Sequence, residues 1–237
     1  MGHYAKVREE NGQYILSKAH DLSKDQTYFL CQLSQKQLGS VIFPLADIDK
    51  TEVRRIAEEI GLVNAKKKDS TGICFIGERN FKKFLKGFLP AQPGDIVDKR
   101  TNKKLGRHDG LMYYTLGQRR GLNLGGRKDG NGERYFVVEK DLKSNILYVT
   151  QGEGEELLSS ELTVSEFNFI PSEPKEKEFD CFAKFRYRQG DQKVHVKILG
   201  DNRLHIYCYE KQRAITPGQF AVLYNENGDC LGGGVID

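Results

Sequence analysis

The sequence predicts a multidomain α+β protein that ends in a C-terminal antiparallel β-barrel. Helical periodicity is confined to residues 1–89, short strand-like runs between glycine-rich basic loops occupy 90–152, and apolar and polar positions alternate through 153–237. At 237 residues, with 38% hydrophobic and 30% charged side chains, the chain can bury more than one core.

In chain order, Asn11-Gly12 between Val7 and the Tyr14-Ile15-Leu16 run predicts a tight hairpin, because both turn residues tolerate positive φ. Tyr28, Phe29, Leu30, Leu33 and Leu38 fall at roughly helical spacing over residues 25–38, with Gly39 as a stop. A second helix is expected after Asp49. Glu52 completes a capping-box pattern, Val53, Ile56, Ala57 and Ile60 form an apolar stripe for packing, and Gly61 suits the left-handed position beyond the last turn. Residues 78–89, with Phe81, Phe84, Leu85 and Phe88 on one side, predict a third helix.

Pro90, Pro93 and Gly94 punctuate the boundary to a small central β module with strands at Ile96-Val97, Tyr135–Val138 and Ile146–Val149. Beyond a linker at 173–178, four runs alternate as strands do: Phe179 to Tyr187, Val194 to Ile198, Leu204 to Cys208, and Phe220 to Tyr224. The turns between them, Gln189-Gly190, Gly200-Asp201 and Pro217-Gly218, suit closure into a barrel.

Charge is unevenly spread. Residues 86–152 hold 13 basic and 7 acidic side chains, whereas 153–237 hold 10 and 15. The basic middle favours a polyanion such as nucleic acid. Lys99, Arg100, Lys103, Lys104, Arg107 and His108 form one cluster, Arg119-Arg120 with Arg127-Lys128 another, and Tyr113-Tyr114 lie between. Rings among cations fit looped RNA, while the competing reading puts both tyrosines in a core. No run reaches the roughly 18 apolar residues of a membrane helix, and no signal peptide opens the chain, so a soluble cytoplasmic protein with no membrane partner is expected.

Five scattered cysteines with no CxxC pair, and five scattered histidines, give no metal site and suit a reducing compartment. Cys74 lies in a glycine-flanked segment near Lys66, Lys67, Lys68 and Arg79, where a thiolate is stabilised, although Ile73 and Phe75 equally suit a short buried strand. Lys24-Asp25-Gln26 offers a cation for phosphate and an amide for a base edge, or else a helix cap with solvated neighbours. His3 is a possible phosphate or ribose donor. No Walker or Rossmann phosphate loop is visible.

Several stretches together resemble the tRNA-specific 2-thiouridylase family: Gly2-His3-Tyr4-Ala5, Lys24-Asp25-Gln26-Thr27-Tyr28-Phe29-Leu30, Asp69-Ser70-Thr71-Gly72-Ile73-Cys74-Phe75-Ile76-Gly77, Leu89-Pro90-Ala91-Gln92-Pro93-Gly94, Tyr113 to Arg119, Pro217-Gly218-Gln219 and Leu231 to Gly234. The resemblance implies replacement of the C2 oxygen of a wobble uridine in tRNA by sulfur from a cysteine persulfide, with ATP and Mg2+ as cofactors and an upstream sulfur-donor protein as partner. It implies that Cys74 carries the persulfide and Gly2 contacts nucleotide. It also implies that His3, Lys24, Asp25, Gln26, Arg186, Tyr187 and Gln219 contact tRNA. Residues 1–89 then represent the helical remainder of an α/β ATP-pyrophosphatase-type domain, 90–152 a central β domain and 153–237 a tRNA-binding barrel. The family's pyrophosphate loop, catalytic aspartate and second cysteine lie upstream of its Gly-His-Tyr-Ala motif, outside this sequence, so the chain alone is expected not to complete the reaction. Two rival readings are a non-catalytic tRNA-binding module and a sulfur carrier that binds no RNA.

Overall fold

A computed structural model describes residues 2–67, 84–85, 87–124 and 132–237. Strands dominate the described residues, and the chain divides into two compact units. One unit gathers residues 1–67 with 159–212 and 216–237; the other comprises 68–158 with 213–215.

The first unit begins with a hairpin, β1 (Lys6–Glu10) and β2 (Gln13–Ser17), whose turn places Asn11 at φ 51° and Gly12 at φ 75°. Two positive φ angles are what the right-handed twist of a two-residue hairpin demands. The single helix expected over 25–38 is two single turns instead, α1 (Thr27–Leu30) and α2 (Gln35–Leu38). Ser34 interrupts it, because its side chain accepts from the Gln37 N–H while the Gln37 side chain accepts from the Ser34 N–H. Helix α3 (Lys50–Glu59) starts after Asp49, but Asp49 makes no side-chain cap and Glu52 pairs with Arg55 instead. The packing expected of its apolar stripe is not found: no residue of α3 is buried, and Ile60 just beyond it is 66% exposed. The helix is tethered at its first turn, where the Lys50 N–H donates to Asp21 Oδ2 at 3.0 Å. The helix expected over 78–89 falls largely outside the described residues.

The expected barrel is present. Strands β7 (Leu158–Phe169), β8 (Glu178–Lys184), β9 (Gln192–Gly200), β10 (Arg203–Arg213), β11 (Phe220–Tyr224) and β12 (Cys230–Ile236) close in the order β10-β7-β12-β11-β8-β9. Alternation places Val194, Val196, Leu204, Ile206, Ala183, Ala221 and Leu223 in its interior. The opposite face of β11 is buried too. Val222, Tyr224 and Cys230 share a second core with Ala5, Leu16, Tyr28, Leu30, Cys31, Leu38 and Phe43 from the N-terminal segment. Covering on both faces explains the unbroken apolar run Ala221–Tyr224. Each large side chain buried there contributes about 1.5–3 kcal/mol.

Close approach of the two layers requires Gly233. A Cβ at that position would stand 2.6 Å from Cys31 Sγ and 2.9 Å from Cys31 Cβ. Polar ties then fix the register between the layers: Gln32 Nε2 donates to the Gly233 carbonyl at 2.7 Å, Asn168 Nδ2 to the Cys31 carbonyl at 2.9 Å, and the Tyr28 hydroxyl to the Phe220 carbonyl at 2.9 Å.

The second unit contains a four-stranded sheet in the order β4-β3-β6-β5, formed by β3 (Gly94–Asp98), β4 (Lys104–His108), β5 (Tyr135–Asp141) and β6 (Ile146–Gln151). Its core holds Ile96, Leu105, Tyr114, Val137, Leu147 and Val149. The expected basic cluster is largely spent on structure. Lys99 pairs with Glu139 at 2.7 Å, Arg100 with Glu156 at 2.7 Å and Lys104 with Asp95 at 2.7 Å, while His108 is only 1% exposed. Tyr114 lies in the core with Tyr113 packed against it, which is the core reading of that pair. No helix of the described residues is long and apolar enough to cross a membrane.

Candidate nucleic-acid interface

Within the first unit, three short segments distant in sequence meet around α1. Gln26, the residue before the helix, does not cap it with its side chain. Instead its backbone N–H donates to the Tyr4 carbonyl at 2.8 Å, and its Oε1 accepts from the Tyr4 N–H at 3.1 Å. This two-point clamp fixes Gln26 beside His3 and settles the amide's orientation, because only oxygen accepts from a backbone N–H. The Nε2 donors lie outside the clamp.

Asp25 is turned inward and 5% exposed. Its carboxylate accepts from the Ala19 N–H at 3.2 Å and from Thr27 Oγ1 at 2.7 Å, and Thr27 Oγ1 lies 3.1 Å from the buried Tyr224 hydroxyl. Burial raises the Asp25 pKa, opposed by these hydrogen bonds and by the charge of Lys184. Asp25 therefore shapes the turn that displays Lys24 and Gln26. Lys184 and Lys18 approach the Tyr224 ring, with Nζ 5.6 Å and 4.2 Å from its centroid, and Lys18 is ion-paired to Asp191.

Tyr187 belongs to the loop after β8. Its ring centroid is 4.4 Å from that of Phe29 and 6.2 Å from that of Tyr28. Burial raises the Tyr187 pKa, Asp25 adds to the rise, and the charges of Arg188 and Lys24 oppose it. The carboxylate of Asp25 and the cations Lys24 and Arg188 thus all act on this hydroxyl. Gln219 precedes Phe220, whose carbonyl anchors Tyr28, so it joins the same neighbourhood through the backbone. Arg186, next to Tyr187, is exposed. His3 is half-buried, and its Nδ1 is enclosed with no hydrogen-bond partner among the described residues.

The structure thus brings Lys24, Gln26 and Tyr187 together around α1 with Asp25 beneath, while His3, Arg186 and Gln219 are chain neighbours of Tyr4, Tyr187 and Phe220, which make contacts there. Phe29 is the residue that sequence reasoning misplaced, because it was read as part of an apolar helical face. Three consecutive ring or aliphatic residues on one turn cannot all face one core, and Phe29 is the one left outside at 58% exposure.

Cys74 lies outside the described residues. The other four cysteines nevertheless bear on it. Burial pushes the thiols of Cys31 and Cys181 up to about 12 and that of half-buried Cys208 up to about 11, and it raises Cys230 further. None of the four supplies a thiolate at neutral pH. For the nucleotide, Gly2 is exposed and a Cβ there would meet nothing within 4 Å. The described residues do not build a cradle that fits ATP, and no step through ATP or Mg2+ is assigned to them.

Comparison with known proteins matches the order of these parts. A family model described as tRNA methyl transferase HUP domain covers residues 1–78, one described as tRNA methyl transferase PRC-barrel domain covers 82–151, and one described as aminomethyltransferase beta-barrel domain covers 159–236. The chain is 54% identical over 237 residues to the tRNA-specific 2-thiouridylase MnmA of Bacillus thuringiensis (strain Al Hakam), across 100% of this chain and 62% of that protein. It is 56% identical over 238 residues to the protein of the same name from Streptococcus agalactiae serotype Ia, across 100% of this chain and 63% of that one. The chain belongs to the tRNA-specific 2-thiouridylase family. This thiouridylase-family chain therefore spans less than two thirds of the length of those relatives. The MnmA of Bacillus anthracis matches at 54% over the same extent.

Proposed function

We propose that this chain carries the sulfur-bearing cysteine and an RNA-docking face of a tRNA uridine 2-thiolation enzyme. The observation that supports the reading is the meeting of Lys24, Gln26 and Tyr187 around α1 in a chain whose relatives are titled tRNA-specific 2-thiouridylases; His3, Arg186 and Gln219, next in the chain to residues at the same place, are proposed to join them. Cations there hold phosphates, and the Gln26 Nε2 donors and the aromatic rings meet a base.

Cys74 accepts a sulfur atom from an upstream donor protein as a persulfide, whose terminal sulfur attacks C2 of the bound wobble uridine; a second cysteine thiolate, supplied from outside this chain, then attacks Cys74 Sγ, so that the S–S bond breaks, sulfur stays on C2 and the two cysteines are left as a disulfide. The C2 oxygen departs only once it has been converted into a leaving group. That activation, which the family performs with ATP, requires residues beyond those of this chain, so the polypeptide alone docks RNA and holds sulfur without completing thiolation. The raised pKa values of the remaining cysteines support Cys74 as the sulfur carrier.

Mass spectrometry of the chain after treatment with a cysteine desulfurase and cysteine tests this. One sulfur atom added at Cys74, and none after Cys74→Ser, is the expected result. Sulfur on the other cysteines but not on Cys74 overturns it.

A further inference from the structure

We propose that Phe29 and Tyr187 form a stacking platform for one unpaired base of a bound RNA, with Phe29 as the residue that takes the base. The inference rests on the RNA-docking reading above and specifies how that surface holds its ligand.

Phe29 is 58% exposed, whereas Tyr28 and Leu30 on either side of it are buried in the core shared by the N-terminal segment and β11. Its ring is held in place from two directions. Tyr187 lies against it at 4.4 Å with a 42° tilt, and Tyr28 meets it edge-on at 5.5 Å and 89°. Tyr28 is itself pinned by its hydroxyl to the Phe220 carbonyl. An exposed ring so restrained loses little side-chain entropy when a flat partner covers it. The Phe29 N–H donates to the Gln26 carbonyl at 3.0 Å, so the ring and the Gln26 amide stand at the two ends of one turn.

Charge selects the partner. Lys24 and Arg188 act on the Tyr187 hydroxyl, Arg186 next to Tyr187 is exposed, and the carboxylate that acts on the same hydroxyl, Asp25, is buried and hydrogen-bonded. Asp21, which also interacts with Lys24, is held by hydrogen bonds from Ser23 and the Lys50 N–H. The same unit displays a second aromatic surface on β10 that serves as a contrast. Tyr207 and Tyr209 are 42% and 59% exposed, and His205 stacks on Tyr207 at 4.3 Å. On that surface carboxylates and cations are mixed: Glu161 bonds His205, Glu178 pairs with Lys197, Asp180 accepts from the Tyr209 hydroxyl at 3.0 Å, and Lys193 Nζ lies 5.4 Å from the Tyr209 ring centroid. Both places have rings and cations; at β10 half-exposed carboxylates bond the tyrosine and histidine side chains directly, which disfavours a phosphate there.

The chain contains no tryptophan, so Phe29→Trp places a single indole on the platform. The experiment compares the parent chain with Phe29→Ala, Phe29→Trp and Tyr207→Ala, using an unmodified tRNA and a fully paired RNA duplex as probes. For Phe29→Ala, tRNA affinity is expected to fall about 5- to 100-fold. Phe29→Trp is expected to bind more tightly than Phe29→Ala and to lose indole fluorescence as tRNA saturates it, but not with the duplex. Tyr207→Ala is expected to bind as the parent does. If every variant binds tRNA equally and the indole stays unquenched, the platform is refuted while RNA docking stands. If the parent binds neither RNA, both readings fall.

Discussion

Arg8 and Asp229, 221 positions apart in sequence, are joined by two hydrogen bonds, Nη1 to Oδ1 at 2.6 Å and Nη2 to Oδ2 at 3.0 Å. Ser17 Oγ and Asn225 Nδ2 donate to the same carboxylate at 2.6 Å and 2.9 Å. The first hairpin is thereby fastened to the β11–β12 turn, and with it the clamp that holds Gln26 beside Tyr4. The surface proposed to dock RNA depends on this fastening, because its residues come from both sides of it.

Acid should loosen that fastening. Arg8, and after it Ser17 and Asn225, hold the Asp229 pKa at about 2 against the opposing effect of burial. The unfolded value is about 3.9, so the folded value is depressed. The stabilisation is therefore fully present above the unfolded pKa and is lost as pH falls through the folded one. Urea denaturation should show Asp229→Asn less stable than the parent by about 1–3 kcal/mol at neutral pH. The gap should close between about pH 4 and pH 2. A gap that persists at the acid end counts against the ion pair as its source.

Gly233→Ala should destabilise the fold at the seam between β12 and the N-terminal layer. The new methyl meets Cys31 Sγ at 2.6 Å, which forces the N-terminal layer away from β12. Overpacking of this kind costs about 1–3 kcal/mol. Thermal melting of the variant measures the loss, and an unchanged melting temperature shows that the layers accommodate a methyl there.

Thiol reactivity should single out one cysteine. With Cys31, Cys181 and Cys230 held as thiols by burial, iodoacetamide at neutral pH should label Cys74 first and half-buried Cys208 more slowly, and the three buried cysteines should react only on unfolding. Peptide mapping after brief exposure reads the order. Early labelling of Cys181 or Cys230 contradicts the burial argument.

Gln26→Glu separates fold from recognition. The carboxylate still accepts from the Tyr4 N–H but has no amide donors to offer a base. Stability should change by less than about 0.5 kcal/mol. tRNA affinity should fall by about 1–3 kcal/mol, since the site loses a base-edge donor and gains a charge facing phosphate. Equal affinity with equal stability removes Gln26 from the interface.

Much of the barrel was legible because period-two alternation survives in β8 to β11, and the Asn11-Gly12 hairpin was legible from turn chemistry alone. Strand β7 was missed. Its alternation slips where Glu166 takes a φ of 52°, so Leu162 and Val164 stay in phase with each other but not with Phe167. Strand β4, Lys104–His108, carries no period-two signal, because its two buried residues, Leu105 and His108, stand three apart across a register shift. The break between α1 and α2 was readable, since Ser34 and Gln37 stand at capping-box spacing, but apolar periodicity overrode it. The tRNA-contacting positions were named from family motifs. That Asp25 points inward, and that Phe29 does not, follows from tertiary packing against β11, which no local pattern encodes.

The most direct test of the account is the salt dependence of tRNA affinity, measured with the 237-residue chain and an unmodified transcript. Phosphate contacts by Lys24, Arg186 and Arg188 predict that log K falls against log salt with a slope of about −2 or steeper, and that replacing all three by alanine removes about 2 from that slope. Binding that ignores salt, or a slope that the triple replacement leaves unchanged, contradicts an RNA-docking face at this place.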